Sequence, residues 1–142
     1  MKKLPPIEKI YEAWTALADN RVKMNDGYAD VSSSDGEKSY IVKFQGDTYS
    51  SDDNATYWQG YPGYPVIAVL MLQGKLPYDA EEAALWKNIN WTALNKKYRN
   101  NYAKAVEEVG EERGIDLTKS SEAANRVMDT LSGLPIQIKR KI

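Results

Sequence analysis

Between residues 21 and 52 the chain is cut by Asn25-Asp26-Gly27, Asp35-Gly36 and Gly46-Asp47 into short runs rich in Val, Tyr, Ile and Thr. Turn residues at such intervals, flanked by β-branched and aromatic side chains, specify hairpins. Tyr40, Val42 and Phe44 alternate with Ile41, Lys43 and Gln45, the period of a strand with one buried face. The spacing predicts an antiparallel meander of three or four strands at about 21–24, 28–33, 38–45 and 48–52.

On either side the period changes. Ile7, Ile10, Tyr11, Trp14, Leu17 and Ala18 recur every three or four residues and predict an amphipathic helix over 6–19, with Pro5 and Pro6 at its entry. The apolar run Val66–Leu72 lies between Pro65 and Gly74, an order that favours a short buried helix over a strand. Asp79 and Glu82 resemble a capping box and start a helix running to about Asn88. Asn90 caps the next, predicted as continuous from Trp91 to about Glu112 on the stripe Trp91, Leu94, Tyr98, Tyr102, Ala105, Val106 and Val109. A last helix over about 118–131 carries Ala124, Val127, Met128 and Leu131. Residues 134–142 form an edge strand or a basic tail. The expected architecture is α+β: an N-terminal helix, a small antiparallel meander, then four C-terminal helices on one face of the sheet. With 142 residues and 42% hydrophobic side chains, the chain is read as one domain with one core.

Composition narrows the chemistry. There is neither cysteine nor histidine, which removes disulfides, Ser-His-Asp and Cys-His nucleophiles, and most zinc and haem ligation. Carboxylates, Lys, Tyr, Ser and Thr remain. A net charge of −1 argues against a general nucleic-acid binder. The start Met1-Lys2-Lys3 has no apolar run behind it, and the longest apolar stretch falls far short of a membrane span, so a cytoplasmic location away from membranes is expected. Gly60-Tyr61-Pro62-Gly63 lacks the Lys and Ser/Thr of a phosphate loop and the spacing of a dinucleotide fingerprint, so no cofactor is expected.

Residues 52–65 are the most unusual stretch. Tyr57, Trp58, Tyr61 and Tyr64 crowd a segment whose glycines and prolines bar a regular helix. Aromatic faces stack on flat ligands, and Asp52, Asp53, Asn54 and Gln59 supply polar selection beside them. The expectation is a non-enzymatic module binding a small polar ligand or a protein partner through Tyr57, Trp58, Tyr61, Tyr64, Asp52, Asn54 and Gln59. A homodimer interface would use the same rings. The alternative interpretation is core packing at a tight corner. A second hypothesis is a carboxylate-based hydrolase of a nucleotide or sugar, with Mg²⁺ held by Asp47, Asp52 and Asp53. A third is weak nucleic-acid binding along helix 87–104, where Lys87, Lys96, Lys97, Arg99 and Lys104 occur with Asn95, Asn100 and Asn101 and no acid between Glu82 and Glu107.

Overall fold

A computed structural model of the protein describes residues 3–142, so Met1 and Lys2 of the basic start lie outside the described residues. Helix α1 (Glu8–Ala18) is followed by β1 (Val22–Met24), β2 (Tyr28–Ser32), β3 (Ser39–Gln45) and β4 (Thr48–Ser51). One π-helical turn, Ala55–Gln59, leads into α2 (Tyr64–Leu72). Then come α3 (Ala80–Leu85), α4 (Trp91–Lys97), α5 (Tyr102–Arg113), α6 (Leu117–Gly133) and β5 (Gln137–Ile138).

The meander is the one the turn residues demand. β1 to β4 pair antiparallel in chain order, and Ala29, Val31, Val42 and Tyr49 project from one face into the core. The other face leaves Tyr28 and Ile41 exposed. The expectation of an edge strand or a tail at 134–142 resolves as a strand: β5 joins β4 in parallel, making a five-stranded mixed sheet. A parallel partner needs a long crossover, which the whole helical half supplies.

Two helices are buried nearly all round. α2 is apolar along its length and buried from Pro65 to Met71, as a helix with no polar face must be. It packs against α1 and against β1, β3 and β4. α1 sits deeper than its amphipathic pattern implies, buried from Lys9 to Ala16 because α2, α3, α5 and α6 all contact it. Tyr11 lies edge-on to Trp14 and Trp86 at centroid distances of 5.0 and 4.7 Å, and Trp86 stacks on Trp91 at 6.2 Å.

The predicted helix 91–112 is two helices, so five α-helices follow the sheet rather than four. Arg99 and Asn100 adopt left-handed backbone angles (φ 51° and 64°) and end the first. Asn101 then caps the second by accepting from the Lys104 N–H. Asparagine tolerates the left-handed region and serves as an N-cap, so Asn100-Asn101 is a stop-and-restart signal within an otherwise continuous apolar stripe. Among the described residues no helix is long and apolar enough to cross a membrane.

Candidate functional site

The break between α4 and α5 opens a cleft. Its walls are α1, the end of β4 with the π-helical turn, the β2–β3 connection, and the helices on either side of the break. The inner part holds about 240 Å³ and is lined by Lys9 and Glu12 of α1, Arg21, Asp53, Tyr64, and Trp91 of α4. An outer part of about 460 Å³ shares Lys9, Asn54, Ala55, Asn100 and Tyr102 with the inner one and extends to Trp58, Gln59 and Tyr61.

The floor is charged and buried. Lys9 and Glu12, one helical turn apart, form an ion pair of 3.1 Å with 8% and 6% exposure. The Lys9 ammonium also lies 4.3 Å from the centre of the Tyr102 ring. Complete burial pushes the Glu12 carboxyl above its ordinary value; Lys9 pulls it down, while Asp53 and Glu8 add to the rise. Burial pulls Lys9 down, but the Glu12 carboxylate and Tyr102 outweigh it and hold the ammonium above its ordinary value. Burial likewise raises the Tyr64 phenol strongly, against the opposing charge of Arg21. A buried pair of this kind adds little to stability, and perturbed titrating groups in a cleft are a signature of function.

The Glu12 direction has a measurable consequence. A carboxyl with a folded pKa above its unfolded value favours the fold while protonated, so its contribution is present below the unfolded pKa and lost as pH rises through the folded one. Carbon-detected NMR titration should place the Glu12 midpoint above 4.5. The Lys9→Met variant should move it higher still, because the attraction is gone and the burial stays. A midpoint at or below 4.5 would show that water reaches the carboxyl.

The polar residues around 52–56 divide by strand parity. β4 continues its alternation past its last hydrogen bond, so Ser51 and Asp53 point inward and Asp52 outward. Asp53 is 4% exposed; its Oδ1 accepts from Ser51 Oγ at 2.5 Å and its Oδ2 from the Thr56 N–H at 3.1 Å. Thr56 Oγ1 in turn accepts from the Gly63 N–H at 2.9 Å, which fastens the π-helical turn to the start of α2. Asp52 accepts from the Ile41 N–H at 2.8 Å on the far side of β4, away from the cleft. Asp47 pairs with Lys75 at 3.6 Å. The three acids considered for Mg²⁺ are thus dispersed over separate partners, and among the described residues no three acidic side chains converge on one point.

The rings also separate. Trp58 is 63% exposed at the cleft rim. Tyr57 packs edge-on against it at 4.8 Å, with the Arg140 guanidinium 5.4 and 5.5 Å from the two ring centres and Arg140 Nε donating to the Tyr57 carbonyl. Tyr61 is half-buried on the rim beside exposed Gln59 and Asn54. Tyr64 belongs to the inner part, edge-on to Tyr40 at 6.4 Å. The cleft therefore gathers Trp58, Tyr61, Tyr64, Asn54 and Gln59, while Tyr57 stands behind Trp58 and Asp52 faces elsewhere.

A family model described as "Uncharacterised conserved protein UCP014422" matches residues 2–137. The chain belongs to this family. The UCP014422 match takes in every residue that lines the cleft. No curated protein and no solved structure matches.

Sequence reasoning missed the floor of the cleft: Lys9, Glu12, Arg21, Trp91 and Tyr102. One signal was present. Ala13 and Ala16 continue the helix face of Lys9 and Glu12, and small residues there let neighbouring elements approach a face that the polar pair makes look solvated. The basic residues of 87–104 do not share a stripe. The helix breaks among them, Lys97 binds Glu108 at 2.5 Å, and Lys96 turns to the cleft mouth.

Proposed function

We propose that this chain is a binding module for a small polar ligand, received in the cleft between the aromatic turn and the α4–α5 break. The observation that carries this reading is an exposed tryptophan at the rim of a cleft whose floor keeps a buried Lys9–Glu12 pair. Burying charges costs stability that an apolar floor would not forfeit, and leaving most of a large indole in water forgoes much of the roughly 3 kcal/mol its full burial could supply. Both costs are reasonable where a ligand answers them. The rest of the lining is largely polar, with Ser33, Ser34, Asn54, Asn95 and Asn100 around the rings, which suits a polar ligand.

Replacing Trp58 and Tyr61 with Ala should abolish binding of small aromatic probes in an NMR fragment screen and leave the far-UV circular dichroism unchanged. Loss of the fold instead would assign the rings to packing, and unchanged binding would place the site elsewhere.

A second reading has one observation behind it. Glu12 lies in the cleft with its proton affinity raised, as a general acid or base requires. In that case the carboxylate chemistry belongs to Glu12 rather than to Asp47, Asp52 and Asp53. Turnover of any cleft-bound ester or glycoside that vanishes in Glu12→Gln while binding persists would favour it.

A further inference from the structure

We infer that the ligand of the cleft is an organic anion whose carboxylate or phosphate group meets the guanidinium of Arg21, while its flat portion lies against the outer rings. This inference rests on the reading of the cleft as a binding site and adds the class of ligand.

Arg21 is held rigidly. It directly precedes β1, its backbone N–H bonds the Ala16 carbonyl at 2.9 Å, and its Nη1 donates to the Ser32 carbonyl at 2.5 Å. The remaining edge is different. Nε and Nη2 are buried and make no hydrogen bond of good geometry; the Tyr64 phenol is the neighbouring polar group. The Asp19 carboxylate is 3.7 Å from Nε, within ion-pair range but beyond a hydrogen bond, and its other oxygen accepts from the Asn88 N–H. Buried donors left without acceptors are costly to the fold. A guanidinium edge is the group best matched in shape and charge to a carboxylate or phosphate.

The other charges of the inner cleft have partners close at hand. Lys9 is answered by Glu12, and both oxygens of Asp53 are occupied by Ser51 and Thr56. Arg21, whose one ion pair is the long 3.7 Å contact with Asp19, therefore remains, with Lys96 at the mouth, which makes no ion pair among the described residues. Among the described residues no carboxylate lines the outer part: Lys9 is set among Trp58, Tyr61, Tyr102 and side-chain amides, with the Lys3 ammonium 5.6 Å from the Tyr61 ring centre. A molecule with an anionic end and a flat body fits this order of groups from floor to rim.

The test uses matched probes on the full chain: AMP with adenosine, indole-3-acetate with indole-3-acetamide, and benzoate with benzamide. Binding is followed by the indole N–H signals of Trp91 and Trp58. The expected result is that at least one anion binds the cleft tenfold or more tightly than its neutral twin; AMP against the two carboxylates tells phosphate from carboxylate. Arg21→Gln should erase the preference. Asn95→Asp, which places a negative charge on the cleft wall and leaves the Arg21–Ser32 bond intact, should weaken the anion at least threefold; it carries the test if Arg21→Gln does not fold. Equal binding of each pair at the cleft overturns the anion and leaves the binding site standing. A preference that survives both variants also overturns it. No probe at the cleft overturns both readings together.

Discussion

Trp86→Ala should lower the unfolding temperature by on the order of 10–20 °C. Trp86 is fully buried, sits edge-on to Tyr11 and stacks on Trp91, so its ring joins α1, α3 and α4. Truncating a buried Trp costs about 3–5 kcal/mol through lost transfer energy and the cavity left behind, a large share of the roughly 5–15 kcal/mol that holds a domain folded, and each kcal/mol is worth several degrees at this size. Its polar atoms add to the damage. Nε1 donates to Ser120 Oγ at 3.3 Å, and Ser120 donates to the buried carboxylate of Glu82. The Trp86 carbonyl, which the variant keeps, accepts from Thr15 Oγ1 at 2.6 Å, and that hydroxyl accepts from Trp91 Nε1 at 2.8 Å, so the ring lost from beside them leaves this buried pair without its packing. Trp86→Phe should fall between, keeping most of the apolar area and leaving Ser120 without the indole donor. Thermal unfolding followed by circular dichroism measures both. A shift of only a few degrees for the Ala variant would mean that the three helices are not joined through this ring.

The same ring shows what could be read from sequence alone. Helices α1, α3 and α4 were each visible through period, caps or both, since Asp79 and Asn90 do accept from the N–H groups of the turns they precede. Their convergence on Trp86 was not, because Tyr11, Trp86 and Trp91 are joined only by long-range packing. The meander was legible down to its register-setting turns, since glycines with positive φ at Gly27 and Gly46 mark hairpins by local conformation alone. The pairing of Thr48 with Gln137 is non-local, and nothing in either short segment names the other. In the site, the rim was legible because exposed rings in a segment that cannot repeat have few explanations. The floor was hidden by a sound local inference: Lys9 and Glu12 occupy the positions where an amphipathic helix meets water. They are buried because α2, α3, α5 and α6 all close on α1, and Tyr102, just past the α4–α5 break, lies against the Lys9 ammonium; an unbroken apolar stripe overrode that break in the sequence. Parity would have separated Asp52 from Asp53, had the β4 alternation been carried two residues beyond the strand.

Gly63→Ala should be the most disruptive single methyl group in the site. The backbone at Gly63 (φ −73°, ψ 175°) suits any residue, so the requirement is space rather than conformation. A Cβ there would stand 2.2 Å from Asp53 Oδ2 and 3.0 Å from Thr56 Oγ1. Asp53 cannot step aside freely, because the oxygen in the way is the one that accepts from Thr56, and its neighbour is held by Ser51. Overpacking of this kind costs about 1–3 kcal/mol, and a carboxylate pushed off its donors while still buried costs about 1–3 more. A loss of about 3 kcal/mol is expected, and with it the shape of the cleft, because Asp53 and Thr56 anchor the turn that carries Trp58. The double variant Asp53→Ala with Gly63→Ala separates clash from any general intolerance. Removing the carboxylate makes room for the new methyl, so Gly63→Ala should cost at least about 1 kcal/mol less in the Asp53→Ala background than in the wild type, the coupling expected of two groups in direct contact. Purely additive costs in denaturant unfolding would show that the glycine serves something other than the approach of Asp53. They would also detach the aromatic turn from the lock that places it over the buried charges.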